Sequence, residues 1–88
     1  MQAYLQIALD GAKEQEIYDS LRSMHEVREV NLMFGEWDIL AKLDLPTAEA
    51  LGTFILQKVR PIPGVRLTST MIVAKTHFDG HPITKKNT

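Results

Sequence analysis

Residues Met33 to Asp44 read MFGEWDILAKLD. Gly35, Glu36, Trp37 and Asp38 join two extended runs there. A tight corner needs glycine and tolerates aspartate. It does not need the chain's only tryptophan set beside two carboxylates. The corner is therefore either a hairpin turn and nothing more, or a place that holds a ligand. The remaining residues with chemical potential form weaker patterns. His25 opens HEVRE, which lacks the second histidine of a zinc-protease helix. At a helix end, its ordinary role is a favourable charge at the negative pole of the dipole. His77 and His81 are suitably spaced for a metal only on a helix, and the Gly80-Pro82 context is not helical. Ser20, Ser23 and the threonines have no neighbouring base pattern for nucleophilic catalysis. There is no glycine-rich phosphate loop and no aromatic signature of an RNA-binding sheet. No metal and no cofactor is implied.

The elements that must position the corner come from a single small domain, since the chain has 88 residues. A chain of this size buries only roughly 60–65% of the surface its unfolded form exposes, so packing against another copy would add to a thin stability margin. The apolar fraction is 44% and the charged fraction 24%, ordinary for a globular protein. A net charge of −1 gives no reason to expect wrapping around nucleic acid or an anionic membrane. The absence of cysteine removes disulfides and thiolate chemistry and fits a reducing compartment. The N-terminus lacks the pattern of a signal peptide, and no apolar run approaches the ~18 residues of a membrane span. The expected setting is the cytoplasm.

Residues 2–9 alternate, with Ala3, Leu5, Ile7 and Leu9 on one side, which predicts a strand. Asp10-Gly11 breaks it. Ile17, Leu21 and Met24 then recur at helical spacing, with Asp10 expected as a cap and Glu14 and Glu16 suited to the first turn. EVREVNLMF and DILAKLDL supply two strands joined by the corner as an antiparallel hairpin. Thr47 can cap a second helix, whose inward side carries Leu51, Phe54, Ile55 and Val59. Gly52 either weakens that helix or lets something pack close against it. Pro63-Gly64 fits the centre of a type II turn, and VRLTSTMIVAK is the last strand. Residues 77–88 have no periodicity and read as a mobile or loosely docked tail. The order β-α-β-β-α-β predicts an α+β, ferredoxin-like fold, with two helices on one face of a four-stranded antiparallel sheet.

With Leu5, Ile7, Val30, Leu32, Ile39, Ala41, Leu43, Leu67, Met71 and Val73 assigned to the helices, the other face carries the opposite parity. That face then holds Tyr4, Gln6, Ala8, Asn31, Met33, Leu40, Lys42, Thr68, Thr70, Ile72 and Ala74. It is too apolar to be simply solvated and too polar for a dry interior. Such a face usually meets a partner, here expected to be a second copy.

Three segments, FGEWDILAKL, IPGV and TSTMIVAK, in this order and spacing, resemble the effector-binding (RAM) domain of the Lrp/AsnC transcription regulators. The resemblance covers residues 1–76. It implies dimers formed by sheet contact, rings of dimers, and a pocket for a free amino acid or similar small effector between dimers. The positions matching that pocket are Gly35, Trp37 and Asp38 at the corner and Thr68 and Thr70 on the last strand. Full-length regulators carry a DNA-binding helix-turn-helix. This chain starts at the first strand and looks like a stand-alone version, so direct DNA binding is not expected. Co-assembly with a full-length regulator of the same family is the expectation instead.

On that resemblance the chemistry is coherent. Backbone N–H groups exposed by Gly35 can hold a carboxylate. Asp38 can accept from an ammonium, Thr68 and Thr70 offer hydroxyls, and Trp37 gives an apolar wall with one N–H. The plainer alternative is that Gly35 makes the turn, Asp38 bonds a nearby backbone N–H and Trp37 is buried at a subunit contact. Two other classes stay open: a small dimeric ferredoxin-like enzyme, for which no convergent catalytic set is visible, and a purely structural oligomerisation module.

Overall fold

A computed structural model describes residues 1–11 and 13–81 of the chain. Strand β1 (Gln2–Leu9) is followed by helix α1 (Glu14–Arg22), strands β2 (Val27–Leu32) and β3 (Ile39–Asp44), helix α2 (Ala48–Phe54) and strand β4 (Val65–Ile72). The strands form one antiparallel sheet in the order β2-β3-β1-β4. The predicted ferredoxin-like arrangement is the observed one. β1 and β3 occupy its centre, and their alternate residues Ala3, Leu5, Ile7, Ile39, Ala41 and Leu43 are buried beneath the helices. Ile17 and Leu21 of α1, Leu51 and Phe54 of α2, and Ile55 and Val59 beyond it close the core from above. Each fully buried Leu or Ile here contributes roughly 1.5–3 kcal/mol of transfer free energy. The central strands thus fix the sheet's position under the helices.

The helix ends follow local chemistry, with one exception to the expected pattern. Thr47 caps α2, its Oγ1 accepting from the Ala50 N–H at 3.0 Å. Asp10 does not cap α1. The helix begins only at Glu14, and Asp10 instead donates its N–H to the Gly64 carbonyl at 2.7 Å. That bond ties the end of β1 to the turn before β4. The turn is the predicted one: Val65 N–H bonds to the Ile62 carbonyl at 3.2 Å, and Gly64 has φ +96°. Beyond Phe54 the helix widens into a π-turn over Ile55–Val59, closed by Arg60 N–H to the Ile55 carbonyl at 2.9 Å.

β4 corrects the face assignment made from its alternation. It pairs with β1 as Leu5↔Thr70, Ile7↔Thr68 and Ala3↔Ile72. Residues directly opposite in an antiparallel pair share a face. Thr68, Thr70 and Ile72 therefore lie on the helix side. Leu67 and Met71, paired with Ala8 and Tyr4, lie on the helix-free side and are about half exposed. The strand carries apolar residues on both parities, so alternation alone does not choose between them; pairing with β1 does. Leu32 keeps its helix-side parity opposite Ile39 but stands 54% exposed, because β2 is an edge strand. The expected tail is exposed where described, through His81; residues 82–88 lie outside the described residues. No helix of the described chain is long and apolar enough to cross a membrane.

Candidate functional site

The hairpin corner is built from the ladder outward. Met33 N–H bonds to the Asp38 carbonyl at 2.8 Å, which continues the β2–β3 pairing and leaves Phe34 to Trp37 in the loop. Asp38 N–H bonds to the Ile7 carbonyl at 2.9 Å. The next ladder partner of Leu9 would be Trp37, but there the chain has already left the sheet. Asp38 fills the gap: its Oδ2 accepts the Leu9 N–H at 2.8 Å. One carboxylate thus replaces a missing backbone acceptor and holds the corner against β1. Gly35 has φ +144°, and a Cβ there would meet nothing within 4 Å. Backbone conformation rather than space calls for glycine at this position. Trp37 is half buried and, with Gln6, Met33, Phe34 and Leu40, lines a shallow hollow of about 140 Å³ on the helix-free face. Phe34 projects entirely into solvent.

The threonines look the other way. Thr68 borders a hollow of about 300 Å³ lined also by Arg60, Val65, Arg66 and Leu67. A register shift between Ala8 and Leu9 leaves Arg66 without a partner on β1, and bulges of this kind commonly re-aim a side chain. Thr70 borders an open apolar hollow of about 320 Å³ between α2 and β4, where Ala48, Gly52, Leu56 and Ile72 are exposed. The structure therefore brings Gly35, Trp37 and Asp38 together, and Thr68 with Thr70. It does not bring the two groups together within one chain. Arg60, Arg66, Ala48 and Leu56 were not singled out from the sequence. The signal that could have found them is Gly52, a helix glycine with no turn to make.

A larger concavity, about 470 Å³, lies at the opposite end of the sheet, between the α1–β2 connection and α2. Its polar centre is the Glu26–Lys58 pair, with Lys58 Nζ donating to Glu26 Oε2 at 3.0 Å. That hydrogen bond holds the Glu26 carboxyl below its ordinary range, against the opposing effect of burial. The pair ties the π-turn after α2 to the start of β2 and touches none of the corner or threonine residues. Among the described residues, no group of three or more His, Asp or Glu is placed to hold a metal.

The family model for the Lrp/AsnC ligand binding domain matches residues 2–83. The chain belongs to the Lrp/AsnC family. Its relatives include the HTH-type transcriptional regulator FL11 of Pyrococcus abyssi, 36% identical over 77 residues, a match covering 88% of this chain and 50% of that protein. This Lrp/AsnC domain thus spans about half the length of such relatives. Among solved structures it is similar to FFRP-DM1, at 35% identity and a TM-score of 0.79, covering 82% of this chain and 96% of that one. It shares its fold with the Neisseria meningitidis transcriptional regulator NMB0573, solved as its L-Met complex, at 23% identity and a TM-score of 0.85, over 98% of this chain and 57% of that one. The Lrp/AsnC match defines a regulatory ligand-binding domain rather than an enzyme.

Proposed function

We propose that this Lrp/AsnC domain binds a free amino acid or similar small effector at a seam between copies of itself, through Gly35, Trp37, Asp38, Thr68 and Thr70. The observation that carries the reading is the split just described. The corner and the threonine side of β4 lie on different faces of one sheet, so a site using both needs a neighbouring copy to bring its corner to β4. The helix-free face supports assembly: Leu67 and Met71 are about half exposed there, beside Tyr4 and Leu40. The Neisseria regulator that shares this fold forms a complex with L-Met, a ligand of the proposed class. Asp38 keeps one carboxylate oxygen for an ammonium while the other serves Leu9. The domain works as a dimer and higher oligomer in the cytoplasm and signals through contact with a regulator of its family.

One observation favours the plainer reading, an oligomerisation module without a ligand: Asp38 already has a structural partner. Thermal-shift screening of the twenty amino acids, with light scattering of each sample, separates the two. The effector reading predicts a saturable rise in Tm and a shift in oligomer population with at least one amino acid. Both should be lost in Asp38→Asn, which keeps an acceptor for Leu9. A flat screen with the assembly intact refutes it.

A further inference from the structure

We infer that the chain carries a second binding site, for a phosphate dianion, free or as the phosphomonoester of a small molecule, in the hollow between Arg60 and Arg66 at the start of β4. This site shares only Thr68 with the effector reading above and does not depend on it. The two arginines bracket one segment, Arg60-Pro61-Ile62-Pro63-Gly64-Val65-Arg66. Pro61 and Pro63 each fix a φ angle in it. Ile62 N–H bonds to the Val59 carbonyl at 3.0 Å, Val65 N–H to the Ile62 carbonyl at 3.2 Å, and Asp10 N–H to the Gly64 carbonyl at 2.7 Å. The segment is therefore a braced clip rather than a free loop. The π-turn sets Arg60 at one end of the clip, and the register shift between Ala8 and Leu9 frees Arg66 at the other. Both line one hollow of about 300 Å³, together with Val65, Leu67 and Thr68.

Charge decides what fits there. No acidic residue lines the hollow, and among the described residues neither arginine makes an ion pair. Two like charges brought to one hollow repel each other, and an anion between them replaces that repulsion with attraction. The chain as a whole has a net charge of −1, so this pair is not the edge of a broad basic surface. Nucleic acid needs cations spread along its backbone, which one arginine pair does not supply.

The number of donors separates one anion from another. Each guanidinium offers a fork of N–H groups that matches two oxygens, and Thr68 adds a hydroxyl. A carboxylate has one charge and two oxygens, so one fork satisfies it and the second is left over. A phosphomonoester carries about −1.5 to −2 charge at pH 7 and three acceptor oxygens, which suits two forks and a hydroxyl. Arg60 and Arg66 are exposed, so selection here works through charge and donor geometry and needs no removal from water. Val65 and Leu67 supply apolar surface beside the arginines for the uncharged remainder of an ester.

Titration of the wild-type chain with AMP, adenosine, inorganic phosphate, sulfate and acetate, followed by calorimetry and amide chemical shifts, tests the inference. AMP should bind with shifts centred on Val65 to Thr68. Adenosine, which lacks the phosphate, and acetate, which carries one charge, should each bind at least about tenfold more weakly. AMP binding tighter than inorganic phosphate identifies an ester whose body rests on Val65 and Leu67; equal affinities identify the free ion. The phosphate of AMP takes up a proton near about pH 6. The walls of the hollow, from the π-turn and from β4, hold no titratable side chain besides the arginines. AMP should therefore weaken roughly tenfold between about pH 7.5 and pH 5, while sulfate, doubly charged throughout, should not. Arg60→Gln and Arg66→Gln should each weaken AMP at least about tenfold, and Arg66→Lys, which keeps the charge and loses the fork, should fall between. Both positions are exposed, so the variants should keep the wild-type Tm. Unchanged AMP affinity in the Arg60→Gln, Arg66→Gln double variant overturns the inference, as does adenosine binding as tightly as AMP. A short DNA duplex that binds through the same arginines more tightly than AMP also overturns it. The amino-acid screen reads the effector site separately, so each of these results leaves that reading standing.

Discussion

Asp38 is where structural and ligand-binding roles meet, and its replacement separates them. In Asp38→Ala the Leu9 N–H loses the acceptor that reaches it at 2.8 Å. Leaving a buried donor unpaired costs about 1–3 kcal/mol. Leu9 is only half buried, so water recovers part of this and the expected loss is about 1–2 kcal/mol. For a domain of this size that is a fall in Tm of roughly 4–16 °C. The loss is local in origin, so hydrogen exchange should report it directly. The Leu9 amide should exchange about 5–30-fold faster, the factor for 1–2 kcal/mol, and amides at the centre of β1, which exchange through global unfolding, should speed up by no more than that factor. Asp38→Asn keeps a carbonyl oxygen in place and loses only the charge-assisted part of the bond, so it should recover about half of the loss. Denaturant unfolding of the three proteins, with exchange of the Leu9 amide, is the assay. The reasoning is refuted if Asp38→Ala unfolds at the wild-type denaturant midpoint and its Leu9 amide exchanges no faster.

Gly64→Ala should destabilise by about 1–2 kcal/mol from the positive φ alone. The new Cβ would also stand 3.1 Å from Ile17 Cδ1, so the measured loss in denaturant should exceed that of an isolated left-handed site. Thr47→Ala removes the α2 cap and should cost about 1 kcal/mol, with Thr47→Asp close to neutral in the same assay. Leu5→Ala, at a position with no exposure in the central strand, should cost about 2–5 kcal/mol. Lys58→Met tests the Glu26 linkage. Glu26 is depressed on folding, chiefly by the Lys58 hydrogen bond, so its contribution is present above the ordinary carboxylate pKa and lost as pH falls through the lower folded value. The variant's deficit should therefore be full at pH 7 and should lose its Glu26 part in acid; urea midpoints measured from pH 7 to pH 3 check this.

The central fold was legible because β1, β3 and both helices each carry a one-sided apolar pattern. Leu5, Ile7, Ile17, Leu51 and Val59 could point only one way, and they do. The turn at Pro63-Gly64 and the Thr47 cap were legible because single residue types decide them. The facing of β4 was not. Leu67, Met71 and Val73 on one parity compete with Thr70 and Ile72 on the other, and only long-range pairing with β1 settles the choice. Asp10 misled for a related reason. A cap residue near a helix start is a local signal, and the bond from its N–H to Gly64 is a contact between distant segments. The corner residues were recognisable by type and spacing. That Asp38 stands in for a ladder acceptor follows only from where β3 ends relative to β1.

The reversal of β4 changes what a complete site requires. Had the threonines shared the corner's face, one chain could have offered the whole constellation, with assembly an accessory to binding. With the two halves on opposite faces, effector and neighbour are linked on the proposed reading, and each must strengthen the other by the same factor. If only the assembled form holds the ligand, saturation at a hundred times Kd stabilises each occupied seam by about 2.7 kcal/mol, enough to move an assembly equilibrium roughly a hundredfold. A measured effector affinity that stays constant as protein concentration drives assembly would break that linkage. It would also place the whole site within a single chain, which the register of β4 against β1 does not allow for these residues.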